Sequence, residues 1–134
     1  MKRIFTFMTA LFIGAAATAQ VTVTFQVDVT NYVAGGATLD ATGVRVGGNF
    51  SSNGATANGG PMADWSPTTP TSAMTDLGNG IWEIAVDFPT SSVGLPLLYK
   101  FINGNWGMNE GTDPANTIVA GGCGVDDGSG NINN

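Results

Sequence analysis

No histidine occurs anywhere in the 134 residues, and cysteine occurs once, as Cys123. Without histidine there is no Ser-His-Asp or Cys-His nucleophile and no imidazole-ligated metal. A single cysteine closes no disulfide within the chain and supplies no four-thiolate zinc site. Charge is scarce too. The 4 Lys+Arg and 10 Asp+Glu make up 10% of the residues and leave a net charge of −6. Lys2 and Arg3 stand at the extreme N-terminus; losing those two takes the net charge from −6 to −8 and leaves Arg45 and Lys100 as the remaining cations. So acidic a surface repels phosphate backbones, which argues against nucleic acid as a partner. Long apolar runs are missing beyond residues 4–17, and that stretch is shorter than the roughly 20 residues a bilayer requires. What the chain has in quantity is glycine, 20 residues, spread among Ser, Thr and Asn between short apolar runs. That is the composition of a weakly charged, loop-rich secreted β protein.

Residues 1–19 read as an export signal. Lys2 and Arg3 form the positive start, residues 4–17 the mostly apolar middle, and Ala17-Thr18-Ala19 places small residues before a cut at Gln20. The expectation is a chain secreted or held at the cell surface, with residues 20–134 as a single domain and no membrane span. From residue 21 to 30 the pattern alternates strictly: Val21, Val23, Phe25, Val27 and Val29 on one face, Thr22, Thr24, Gln26, Asp28 and Thr30 on the other. A short strand runs through Val44-Arg45-Val46 into Gly47-Gly48. Residues 51–72 are polar and read as a long loop holding one aromatic, Trp65. Asn79-Gly80 signals a type I′ hairpin into a strand whose Trp82, Ile84, Val86 and Phe88 share a face, which assigns Trp82 to the core. Residues 97–102 form the next strand, followed by a second turn signal at Asn103-Gly104 and then Trp106. Beyond it only Ile118-Val119 is strand-like. Several short strands, frequent turns and no helical period predict an all-β chain, an antiparallel β-sandwich.

Several of these pieces, in order, resemble the starch- and glycogen-binding modules that have an early-set immunoglobulin-like sandwich. The glycogen-binding domain of the AMP-activated kinase β-subunit is a representative. The matching pieces are Val44-Arg45-Val46-Gly47-Gly48-Asn49-Phe50, Trp65, and Met74-Thr75-Asp76-Leu77-Gly78-Asn79-Gly80-Ile81-Trp82. They continue in Leu98-Tyr99-Lys100-Phe101-Ile102-Asn103-Gly104-Asn105-Trp106 and end in Gly130-Asn131-Ile132-Asn133-Asn134. The sequence also resembles secreted β-domains of Bacteroidetes surface proteins. The first resemblance implies a non-catalytic carbohydrate-binding module for a polysaccharide or oligosaccharide, an α-glucan above all, with no cofactor and no metal. It assigns the binding roles to Trp106, Lys100 and Asn133, with Trp65 as a second platform. The second implies a structural or adhesion β-sandwich domain of a larger secreted surface protein, without glycan binding.

The residues themselves leave some of this open. Leu97, Tyr99 and Phe101 share one face of their strand, so Lys100 points the other way with Leu98 and Ile102. Both a glycan donor and a plain solvated lysine fit that placement. Trp106, flanked by Asn105 and Gly107 after a turn, reads as partly exposed or as an aromatic at the edge of the core. Trp65 reads equally as a core insertion or as a glycan contact. Asn133 rests on the resemblance alone. Asp126-Asp127-Gly128-Ser129-Gly130-Asn131 is composed like an acidic calcium loop but lacks the terminal Glu and ligand spacing of an EF-hand, so an ordinary turn is the reading preferred. Glu110 with Asp113, or Glu83 with Asp87, carries the residue types of a glycosidase pair, but nothing in the sequence sets either across a cleft, and an enzyme is not expected.

In sandwiches of the resembled type the Asn-rich loop precedes a closing strand. This sequence stops at Asn134, so the expectation is either a domain truncated at its C-terminus, a fragment of a longer chain with room for further domains, which is the reading preferred, or a sandwich that lacks its last strand and leaves an open edge. The resemblance also implies that relatives carry a partner cysteine near the position of Ser72, which would leave Cys123 here as a free thiol.

Overall fold

The computed structural model describes residues 19–111 and 124–134. The expected export segment up to Thr18, Asp113, the strand expected at Ile118-Val119 and Cys123 lie outside the described residues. Among the described residues nine strands follow in order: β1 Gln20–Asp28, β2 Val44–Gly48, β3 Thr56–Ala57, β4 Gly60–Pro61, β5 Thr75–Gly78, β6 Ile81–Pro89, β7 Tyr99–Asn103, β8 Val125–Asp126 and β9 Ile132–Asn133. One five-residue helix, α1 (Thr30–Ala34), follows β1 where the alternation stops. All pairings are antiparallel, and the chain is all-β.

The first sheet centres on β6, with β1 along one side and β5 and β3 sharing the other; β4 lies beyond β3. The second pairs β2 with β7. Segments outside the named strands widen it. Ala73 bridges to Arg45 on the β2 side, while Asn109 bridges to Ile102 on the β7 side. Further along that edge of β7, Tyr99 and Asn134 exchange main-chain hydrogen bonds of 3.3 and 2.9 Å. β8 and β9 form a separate small hairpin.

The core lies between the two sheets and is built by the alternation. Phe25 from β1 and Ile84, Val86 and Phe88 from β6 meet Val44 and Val46 from β2 and Phe50 just after it. Tyr99 and Phe101 of β7 pack against this cluster, as does Trp82 at its margin. Phe25 ties the layers together, its ring edge-on to Phe50 at 5.8 Å and to Tyr99 at 4.9 Å. Phe50 and Val46 are fully enclosed, and removing each such side chain from water contributes about 2 kcal/mol.

The Asn79-Gly80 turn forms as its sequence demands, with φ of 56° and 80° at the two positions. The loop expected over residues 51–72 holds more structure than its composition announced. Asn58-Gly59, with φ of 50° and 80°, makes a second tight turn between β3 and β4, and Thr56 docks this hairpin on β6 opposite Asp87.

Candidate functional site

The outer face of the β2–β7 pair carries the site. Because side chains alternate, Tyr99 and Phe101 point into the core and Lys100 and Ile102 point out. In the register of the pair, Lys100 lies opposite Gly47 and Tyr99 opposite Gly48. The two glycines therefore look to opposite faces, and each is needed. A Cβ on Gly48 would stand 3.0 Å from both Phe50 and Tyr99 on the core side, and closer still to the Leu98 carbonyl. A Cβ on Gly47 would stand 2.8 Å from Ile102 Cδ1 and 3.2 Å from Trp106 Cη2. The missing side chain of Gly47 thus makes room for the Trp106 indole.

Trp106 reaches that space from a tight loop. Gly104 turns with a φ of 76°, the Trp106 amide donates to Asn105 Oδ1 at 2.8 Å, and Asn103 N donates to Met108 O at 2.9 Å as the chain returns to β7. The indole stays 44% exposed, partly exposed as one of its two sequence readings has it.

Trp65 arrives from the opposite side of the sheet. Its amide donates to Gly48 O at 2.8 Å, and its backbone takes a φ of 49°, a left-handed conformation uncommon for a bulky residue. The following segment is cross-braced. Ser72, buried, donates to Ser66 O at 3.0 Å, and Thr69 Oγ1 donates to the same carbonyl at 2.9 Å. Arg45 donates from Nη1 to Thr69 O at 3.3 Å, so this cation serves the loop and not the cleft. The outcome is an indole 36% exposed, its ring centroid 6.4 Å from that of Trp106 and the planes inclined by 39°.

Lys100, Asn133 and the two tryptophans line one open cleft of about 520 Å³, joined by Asn49, Leu98, Asn109, Asp127 and Asn131. All four residues singled out from the sequence are brought together. Lys100 is not the solvated lysine that its sequence also allowed: only 4% of it is exposed. Asn133 is 1% exposed, and its Nδ2 has no hydrogen-bond partner among the described residues. An unpaired buried donor costs about 1–3 kcal/mol, a penalty that an acceptor entering the cleft would relieve.

Asp127 and Asn131 form the far wall. The Asp127 carboxylate accepts from Ser129 N at 2.8 Å and from Asn131 Nδ2 at 3.1 Å. Those bonds, Ser129 first, hold it below the usual carboxylate range, and the nearby Asn133 amide adds a weaker pull without completing a hydrogen bond. The turn read from the sequence is thus closed on itself by its own aspartate. Behind Lys100, burial pushes the Glu110 carboxyl up, while the bonds it accepts from Phe101 N at 2.8 Å and Asn134 Nδ2 at 2.7 Å and the charge of Lys100 pull it partly back.

Asn49 and Asn109 were not among the residues singled out. Asn49 fixes the approach to β7, accepting from Leu98 N at 2.8 Å and donating to Pro96 O at 3.1 Å. Its sequence signal was its place directly after Gly47-Gly48. For Asn109 no signal exists, since it enters the cleft only because residues 104–109 fold back on β7. Glu83 and Asp87 lie on the outer face of the other sheet, bonded by Gln26 and Thr22, away from this cleft. Among the described residues no group of three or more His, Cys, Asp or Glu is placed to hold a metal ion, and no helix is long and apolar enough to cross a membrane.

Comparison of the chain with protein-family models, with curated proteins and with solved structures gave no match.

Proposed function

We propose that the protein is an exported, non-catalytic carbohydrate-binding module of the immunoglobulin-like starch- and glycogen-binding kind, and that its ligand is an α-glucan. One observation carries the reading: Trp65, Lys100, Trp106 and Asn133, drawn from three separate parts of the sequence, line a single cleft. A sugar ring presents an apolar C–H face to an indole and a rim of hydroxyls to polar neighbours. Trp65 and Trp106 supply the apolar surfaces. Lys100 Nζ and the unpaired Asn133 Nδ2 supply donors to hydroxyl oxygens. The inclination of 39° between the indoles favours a chain whose successive rings turn, as α-linked glucose does, over a flat ribbon.

The test is native gel electrophoresis with and without glycogen or starch in the gel. Retardation by the polysaccharide is expected for the unaltered protein. Trp106→Ala should weaken it at least about tenfold, equivalent to ~1.4 kcal/mol, while leaving the circular dichroism spectrum unchanged. Unchanged mobility of the folded protein across several polysaccharides would overturn the reading and favour a structural domain of a larger surface protein.

A further inference from the structure

One side of β1 is bare. The strand pairs with β6 over its whole length, and among the described residues nothing pairs with its other edge. The ladder fixes which groups that edge presents. Val29 N donates to Gly80 O at 2.8 Å and Thr90 N to Ala19 O at 3.3 Å, so odd-numbered residues of β1 direct their main-chain groups at β6. The N–H and C=O of Thr22, Thr24 and Gln26 therefore point out of the sheet.

Exposed edges are ordinarily guarded by a bulge, a proline, a lysine or an inward charge. Here the register runs unbroken from Gln20 to Asp28, and the strand contains neither proline nor lysine. Side chains that might fold over the edge are drawn the other way: Thr22 Oγ1 donates to Asp87 and Gln26 Nε2 to Glu83, each at 2.5 Å. On the inner face, Val21 and Val23 are exposed, and with Val93 and Leu95 they line a shallow apolar hollow beside the edge.

We infer that this edge is an interface for a second copy of the chain, joined antiparallel, β1 to β1, about a two-fold axis through Thr24. The strand is self-complementary in that register. Thr24 faces Thr24 of the second copy, Thr22 faces Gln26, and Gln20 faces Asp28, so no like charges meet across the seam. On the inner face Val23 comes opposite Phe25 and Val21 opposite Val27, giving the exposed valines apolar neighbours. A strand from a different protein would need side-chain pockets to be selected, and the outer face of this edge offers threonines and a glutamine instead. The contact is isologous and closes at two copies.

The axis stands normal to the joined sheets, so both β2–β7 layers fall on the same side. The two tryptophan clefts then open in one direction, and a single polysaccharide can engage both. That last consequence rests on the proposed function; the pairing does not.

Sedimentation velocity of the chain purified after export, over a wide concentration range, should show a monomer–dimer equilibrium. Thr24→Lys sets two positive charges against each other at the axis and should raise the dissociation constant at least about tenfold, with the circular dichroism spectrum unchanged and the melting temperature unchanged at concentrations where both proteins are monomeric. In a Cys123→Ser background, Thr24→Cys should cross-link to a dimer under mild oxidation, since residues so paired have Cα atoms about 5.5 Å apart, within disulfide reach. Thr90→Cys in the same background should not. A monomer at every concentration, a dimer indifferent to Thr24→Lys, or equal cross-linking at both positions would overturn the inference. Failed glycogen binding alongside these results would leave the dimer standing and remove only the bivalent use of it.

Discussion

Gly47 shows how a residue acts through the side chain it lacks. The site depends on an indole packed against a strand, and a Cβ at that position would stand 3.2 Å from its ring. Gly47→Ala should cost about 1 kcal/mol in urea unfolding, at the low end for overpacking because the atoms met are ends of mobile side chains. The same variant should shift tryptophan emission and weaken retardation by glycogen, because Trp106 must lift. Gly59→Ala, at a turn where an added Cβ meets nothing within 4 Å, should leave emission and binding unchanged. Trp65 makes the complementary point. Holding a bulky side chain at a φ of 49° costs about 1 kcal/mol or more. A neighbourhood that over-determines the backbone there is the kind of setting in which such strain is found at binding surfaces.

Turns and short strands decide how the elements assemble, and they separate what could be read in advance from what could not. Asn79-Gly80 and Asn58-Gly59 are the same dipeptide in the same left-handed turn, but their surroundings differ. A Cβ on Gly80 runs into Thr30, whereas one on Gly59 meets open space. Gly59→Ala should therefore lose only the left-handed penalty, about 1–2 kcal/mol, and Gly80→Ala should lose more; paired denaturation curves would show it. β1 and β6 were legible because nine residues give a period of two room to repeat. β3 and β4 have two residues each, too few to alternate. Their hairpin is secured instead by Asn58 Nδ2 donating to Ala73 O at 2.9 Å, a contact between residues 15 apart in sequence. The direction of Lys100 was likewise readable from alternation. Its burial was not, since that depends on Trp106, Asn109 and the chain end folding over the strand. Asn133 entered through resemblance, with no pattern of its own to mark it.

At the scale of the whole molecule, the chain end is tied to the second sheet by the main-chain pair of Tyr99 and Asn134 and by one carboxyl. Glu110 accepts from Phe101 of β7 and from Asn134, and burial raises its pKa above the ordinary 4.5. A raised pKa means that the folded state holds the proton more tightly than the unfolded one. The associated stability is fully present below the ordinary value and is lost as pH climbs through the raised one. The carboxylates of Asp28, Asp40 and Asp127, lowered chiefly by neighbouring Thr and Ser donors, act in the opposite sense at more acidic pH. Glu110→Gln keeps an acceptor for both donors and removes the titration. Melting temperatures from pH 4.5 toward neutrality should fall more for the unaltered protein than for the variant. Parallel curves would show that Glu110 does not couple folding to pH.

The Ser66, Thr69 and Ser72 bracing, introduced as the support of Trp65, bears on the thermodynamics of recognition as well. A loop already fixed has little freedom left to surrender when a ligand arrives. In calorimetry the entropic penalty should therefore arise almost wholly from the sugar. The Trp65 amide, committed to Gly48, should exchange slowly with deuterium in the free protein and at a similar rate in the complex, as expected of a surface that meets its ligand already in shape.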